Sequence, residues 1–252
     1  MNGERDMRDQ KQDASDINIT ASSPFMRWLD NFWYHHKWKV IIIAFFAIVI
    51  IIGVVQMLSK EDPDSEITIA THTVYYRENV DAIDAALLQL MPGDRNGDGK
   101  KNVLTHYYKI YSEREMTDAN GAETDSEGDP VIYADKSYND SQYSDFKNYI
   151  NTGESSILFV SQYLYDELLS QNRVMPLSEI FDGELPRGAM SDGCGVMLKD
   201  TYAREFLEAF GTLPDDTVIC LLRPYVWGSS SREEHYAYTV EYFKNIVTFG
   251  DN

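Results

Sequence analysis

Apolar residues fall into two regimes along this chain. From Val40 to Leu58 the sequence reads "VIIIAFFAIVIIIGVVQML", without a charge and with Gln56 as its one strongly polar residue. As a helix, that run of 19 residues would extend about 28 Å, close to the hydrocarbon thickness of a bilayer. It predicts a transmembrane helix over 40–58 rather than a buried core helix, which would keep a polar face. The following "SKEDPDSE" carries no small-x-small cleavage pattern, so the segment is expected to stay as a signal anchor.

Beyond the anchor, apolar residues recur at period 2 or 3.6 in alternating segments. "EITIATHTVYY" (66–76) is β-branched and predicts a strand. "VDAIDAALLQLM" sets Ile83, Ala86, Leu87 and Leu90 on one helical face. "NVLTHYYKIYS" predicts a second strand, and "YSDFKNYINTG" a helix with Phe146 and Ile150 facing one way and Gly153 as its stop. "SSILFVS" predicts a short buried strand. Ser161 stands where it would cap "QYLYDELLSQN", in which Leu164, Leu168 and Leu169 share a face. Later signals are the strand "GVMLK", a short helix near "TYAREFLEAFG", the strand "DDTVICLLRPYVW", and a last helix opened by a capping box, Ser231 to Glu234. Residues 113–130, almost without apolar content, are expected to form a flexible acidic insertion. The alternation predicts an α/β fold: one transmembrane helix, then a mainly parallel sheet with flanking helices over 66–252, joined by a linker at 59–65.

Charge adds direction. Arg27, Lys37 and Lys39 precede the anchor, whereas Lys60 is followed by Glu61, Asp62, Asp64 and Glu66. Positive residues stay inside, so the N-terminus is expected in the cytoplasm and the C-terminal domain outside the cell. Trp28, Phe32, Trp33, Tyr34 and Trp38 form an interfacial belt over 25–39, either as an interfacial helix or as an inward continuation of the anchor. Residues 1–24 read as a disordered cytoplasmic tail. The chain carries 22 Lys and Arg against 41 Asp and Glu, a net charge of −19, and the excess acid lies entirely after the anchor. Such a surface excludes nucleic acid as a partner.

Candidate chemistry is sparse. "GDRNGDGKKN" spaces Asp94, Asn96 and Asp98 as in a calcium loop, with Gly99 sixth, Lys100 offering the backbone carbonyl at position seven, and Asn102 at position nine. Thr105 stands where a bidentate acid belongs, so weak calcium binding and a plain Asx-stabilised turn both remain open. His72 and His106 lie in two expected strands that would bring them close if adjacent. Cys194 and Cys220 allow a disulfide outside the cell without requiring one. No GxSxG, HExxH, P-loop or GxGxxG pattern occurs, so the chain is expected not to be an enzyme.

The segment "SSILFVSQYLYDELLSQNRVMPLSEIF" resembles the strand-to-helix unit of extracellular solute-binding proteins. The order of the first elements is similar to the first lobe of a type 2 periplasmic-binding-protein fold. The wider layout resembles single-pass, membrane-anchored extracytoplasmic proteins of Firmicutes-type bacteria. This resemblance implies a tethered domain that binds or senses a solute, a peptide or an envelope component. Its ligand would lie beyond the carboxyl ends of the strands, near Tyr75, Tyr76, Ser161, Gln162 and Tyr163. The chain after residue 175 is too short for a full second lobe. The other readings are a structural or assembly subunit of a membrane complex, and a degenerate hydrolase.

Overall fold

A computed structural model of the 252-residue chain describes residues 24–58, 63–121, 135–153, 155–224 and 230–251. The expected tail of residues 1–24 (all but Pro24), most of the linker (59–62) and the later part of the acidic insertion (122–130) lie outside the described residues. The chain divides into two units, Met1–Glu61 and Asp62–Asn252.

The first unit contains α1, Pro24–Leu58. Pro24 suits the first helical position, where its missing N–H removes no bond. The helix runs unbroken through the aromatic flank, with the rings of Phe25, Trp28, Phe32 and His36 packing in succession at centroid distances of 6.2, 5.4 and 5.1 Å. The stretch Asn31–Val55 is strongly apolar, its membrane-length window holds no buried residue, and it is long and apolar enough to cross a membrane.

The second unit is a five-stranded sheet with helices on both faces. Its strands are β1 (Ser65–Thr71), β2 (Val103–Lys109), β3 (Ile157–Ser161), β4 (Gly195–Met197) and β5 (Thr217–Leu221), in the spatial order β2-β1-β3-β5-β4. β1 pairs parallel with β2 and β3, whereas β5 runs antiparallel to both β3 and β4. The sheet is therefore mixed, less parallel than the alternating pattern predicts. Between β4 and β5 the chain forms only α6 (Tyr202–Phe206) and short 3-10 turns. Antiparallel neighbours need no long crossover helix, so this short connection suffices.

The remaining helices are α2 (Arg77–Leu90), α3 (Glu113–Gly121), α4 (Lys136–Thr152), α5 (Gln162–Ser170) and α7 (Ser230–Val247). Ile83, Ala86, Leu87 and Leu90 are the buried face of α2, as their spacing predicts. With Tyr242, Phe243 and Ile246 of α7 they cover Ile67, Ile69, Phe159 and Ile219 on one side of the sheet. On the other side, Phe146 and Ile150 of α4 and Leu164, Tyr165 and Leu168 of α5 cover Ala70, Leu158, Val160 and Cys220. Leu169, expected on that face, is only partly buried, and Tyr165 takes the place beside Leu164. Gly195 is fixed by proximity: a Cβ there would stand 2.8 Å from the Tyr165 ring and 2.7 Å from Val218. Cys194 and Cys220 are both free thiols. Ser231, expected to cap the last helix, falls inside α7, and its side chain lies outside what the structure describes.

The first part of the expected acidic insertion is ordered as α3. Its opening is a capping box: the Glu115 N–H donates to the Ser112 hydroxyl at 3.2 Å, and the Ser112 N–H donates to Glu115 Oε2 at 2.7 Å.

Candidate functional site

The topology marks one place. From β1 the chain moves outward through α2 to β2, then returns past β1 to β3. The strand order thus reverses between β1 and β3, and open α/β sheets leave a crevice beyond the carboxyl ends at such a point. The residues singled out from sequence lie there, on segments following the adjacent strands β1 and β3.

Tyr75 is half-buried and its hydroxyl lies 2.6 Å from that of Thr71. Burial pushes its phenol well above the ordinary value. Its ring packs on Tyr107 at 4.9 Å, and the Tyr107 hydroxyl donates to Asp84 at 2.7 Å. Tyr76 is 67 % exposed and Tyr163 43 % exposed. The Gln162 amide donates to Asp166 at 2.7 Å, one turn along α5.

Ser161 occupies the N-cap position of α5, but its side chain makes no capping bond. It is fully buried, and its hydroxyl has no hydrogen-bond partner among the described residues. Thr217, directly opposite it on β5, is fully buried and equally unpartnered. Extending the β1–β3 register by one residue brings Thr71 into the same row. Three buried hydroxyls therefore cross the end of the sheet, and two of them satisfy nothing. Natural interiors leave few such groups, since each costs about 1–3 kcal/mol.

One residue further out on the flanking strands stand His72, after β1, and Asp216, before β5. They reach over the end of β3. Glu115 joins them from the first turn of α3, and one ligand-type atom from each of the three lies within 4.8 Å of the others. His72 Nδ1 stands 2.9 Å from Glu115 Oε1. The contact does not meet hydrogen-bond geometry, so this solvent-shielded nitrogen lies close to a carboxylate oxygen but has no hydrogen bond among the described residues. The capping box fixes Glu115 by its other oxygen. Among the described residues, these three form the group from which a metal ion at this end of the sheet could be held. Sequence reasoning noted His72 but not its carboxylate partners. The one available signal was Ser112 three residues before Glu115, hidden in a segment without apolar content.

His72 and His106 do not meet. His106 sits opposite Thr68 in β2, four residues back along the ladder. Its Nε2 lies 3.4 Å from Glu66 Oε2, its ring packs 4.1 Å from that of Tyr149, and the Tyr149 hydroxyl donates to the same carboxylate.

The glycine-rich loop lies at the opposite, amino end of β1 and β2. Asp94 accepts from the N–H of Gly97 and of Gly99, each at 2.7 Å. Asn96 accepts from Asp98 N–H at 2.9 Å, and Asp98 from Lys100 N–H at 2.8 Å. Gly97 and Gly99 take φ of 76° and 84°, which an L side chain resists. The loop closes on Asp64, fully buried, whose carboxylate accepts from the N–H groups of Arg95, Asn96 and Asn102 at 2.7, 3.0 and 2.9 Å. The Asn102 carbonyl in turn accepts from Asp64 N–H at 2.9 Å. Lys100 and Asn102 thus serve the turn through their backbones, and Thr105 belongs to β2.

A separate open depression of about 630 Å³ is formed by residues 184–187, Tyr202 and the C-terminal turn. It shares no residue with the crevice. Comparison of the chain with protein-family models, curated proteins and solved structures finds no match.

Proposed function

We propose that this chain is a membrane-tethered binding or sensing module, held by α1, that takes a small polar ligand in the crevice beyond β1 and β3. The reading is non-enzymatic. The observation that carries it is the pair of buried hydroxyls, Ser161 and Thr217, left without partners among the described residues where the strand order reverses between β1 and β3. A ligand able to hydrogen-bond there would remove a cost that the folded domain otherwise bears. The first turns of α2 and α5 open towards the same end of the sheet without a side-chain cap, and so add N–H donors to the crevice. The order of β1, α2, β2, α4 and β3 adds support from the resemblance to one lobe of a solute-binding protein.

The basic flank before the anchor and the acidic residues after it support an N-terminus in the cytoplasm and a domain outside the cell. A phosphatase fusion that is active only outside the membrane, placed at the C-terminus, reads this directly. Activity is expected, and an inactive but well-expressed fusion overturns the orientation. For binding, the full chain in detergent is screened by thermal shift against solutes, short peptides and cell-wall fragments. A stabilising hit whose effect disappears in Ser161→Ala supports the crevice. A hit unaffected by Ser161→Ala and Thr217→Val puts binding elsewhere, and failure across all three classes favours the assembly-subunit alternative.

A further inference from the structure

We propose that His72, Glu115 and Asp216 form a binding site for a divalent transition-metal ion of the zinc, manganese or cobalt class. This deepens the crevice reading and rests on it only for its location, because metal binding stands whether or not an organic ligand follows.

The donor set argues for that class. One imidazole nitrogen and two carboxylate oxygens suit borderline divalent ions, whereas calcium and magnesium prefer oxygen alone. The three donor atoms are already within 4.8 Å of one another although they come from three elements: the exit of β1, the first turn of α3 and the entry of β5. Ligand atoms about 2.0–2.2 Å from one metal ion lie roughly 3–4 Å apart, so only small rotations are needed to close around it.

Two further observations point to a cation. His72 Nδ1 is shielded from solvent and has no hydrogen bond among the described residues, despite an oxygen 2.9 Å away. A metal ion accepts the in-plane lone pair that this arrangement leaves undirected. Glu115 is held in the manner of a metal-ligating carboxylate, with Oε2 bonded to the Ser112 N–H and Oε1 turned to His72. Beside them, the buried Thr217 hydroxyl adjoins Asp216 in sequence, and Ser161 lies opposite Thr217 in the ladder; both lack partners among the described residues. With three protein ligands the ion would keep an open coordination position, and an oxygen of a crevice ligand could take it.

The competing occupant is a proton. A protonated His72 would also hold two carboxylates together, and the test separates the two. The full chain, purified without a histidine tag and stripped with chelator, is titrated with cobalt(II) in detergent. The expected result is one equivalent bound, with visible d–d absorption that zinc then displaces. Affinity should fall at least about tenfold in His72→Gln, Asp216→Asn and Glu115→Gln. Glu115→Gln is the fold-safe variant, because glutamine still completes the capping box while removing the ligand charge. Asp94→Asn with Asp98→Asn, in the amino-end loop, should leave the spectrum unchanged.

Absence of cobalt absorption overturns the proposal, and so does a spectrum insensitive to all three crevice substitutions. It is also overturned if the ring of His72 in the stripped protein is cationic at neutral pH by NMR and unchanged by zinc. Cobalt bound at the triad with no hit in the ligand screen retains the metal site and removes the organic-ligand reading. A ligand hit sensitive to Ser161→Ala without cobalt binding does the reverse.

Discussion

The two ends of the central sheet are built on opposite principles. At the amino end, the glycine-rich loop and the last turn of α2 leave few polar groups without work. Asp64 gathers three N–H groups of the loop. The α2 carbonyls of Leu87 and Leu90 accept from the Tyr242 hydroxyl at 2.6 Å and the Asn245 amide at 3.1 Å, both on α7. The carbonyls of Met91 and Gly93 accept from Lys101 and Tyr238. Burial raises the Tyr238 phenol to about 12, so it remains a donor at any ordinary pH. At the carboxyl end, α2 and α5 begin without side-chain caps, and the side chains of Ser161 and Thr217 and His72 Nδ1 have no hydrogen bond among the described residues. Ser65, at the start of β1, keeps a buried hydroxyl without a partner among the described residues, so the amino end is closed by the chain in its loop and in the last turn of α2 rather than throughout. The other end leaves its three groups without hydrogen bonds among the described residues, and the proposed binding reading rests on that difference.

The largest effect that could break this contrast lies at Asp64. Asp64→Ala strands three N–H groups that a buried carboxylate now satisfies, and hydrogen bonds to charged groups contribute about 1.5–3 kcal/mol each. Solvent reaches part of the loop and recovers some of that. The expected loss is about 3 kcal/mol in denaturant unfolding of the full chain in detergent, with Asp64→Asn losing about half as much. A loss under 1 kcal/mol would mean that the loop does not secure the amino end.

The carboxyl end should respond in the opposite sense. Ser161→Ala and Thr217→Val remove hydroxyls that bond to nothing described, so each should leave stability unchanged or raise it by about 1 kcal/mol. A clear destabilisation from either would show that the hydroxyl has a structural partner, and the contrast between the two ends would fail.

A pH titration tests how α5 is seated behind the crevice. Burial alone would raise the Glu167 carboxyl. Hydrogen bonds from Tyr143 and from Lys147, at 2.6 and 3.2 Å, outweigh it and hold the carboxyl below its ordinary value. A depressed folded pKa stabilises above the unfolded value, and that contribution disappears as pH falls through the folded value. Tyr143→Phe with Lys147→Met should therefore lower stability at neutral pH and flatten its decline below about pH 4.5. A decline of unchanged steepness would show that other carboxylates govern the acid limb.

Legibility followed period and length. The membrane-length helix was readable from the length of its unbroken apolar run, and the apolar face of α2 because burial on one side imposes 3.6-residue spacing. The positions of Phe146, Ile150, Leu164 and Leu168 were readable for the same reason. The reversed β5 was not, since "TVICL" is buried on both faces and an apolar run carries no sign of direction. The crevice residues Tyr75 and Ser161 followed from strand ends, a topological argument. Their neighbours did not. Asp216 and Glu115 reach His72 across 144 and 43 positions of sequence respectively, and no local pattern encodes such a meeting. Ser161 shows the limit most clearly: a serine before a helix reads as a cap, yet here its hydroxyl makes no capping bond.

The smallest expected effect concerns calcium at the amino end, where the spacing of Asp94, Asn96 and Asp98 first drew notice. The side-chain oxygens of these residues already accept N–H groups of the loop, and Asp64 closes it from below. The turn is thus held by its own bonds. A carboxylate oxygen has a second lone pair, so those bonds do not forbid an ion. The loop nevertheless lacks the bidentate acid at position twelve, which limits affinity to about the millimolar class of extracellular modules. An ion at a concentration equal to its dissociation constant stabilises by RT ln 2, about 0.4 kcal/mol. Chelation of a calcium-equilibrated sample should therefore change the unfolding free energy by no more than about 0.5 kcal/mol, far below the effect of Asp64→Ala. A loss of several kcal/mol on chelation would reverse the assignment of the two ends, making the loop a metal-dependent element and Asp64 a secondary support.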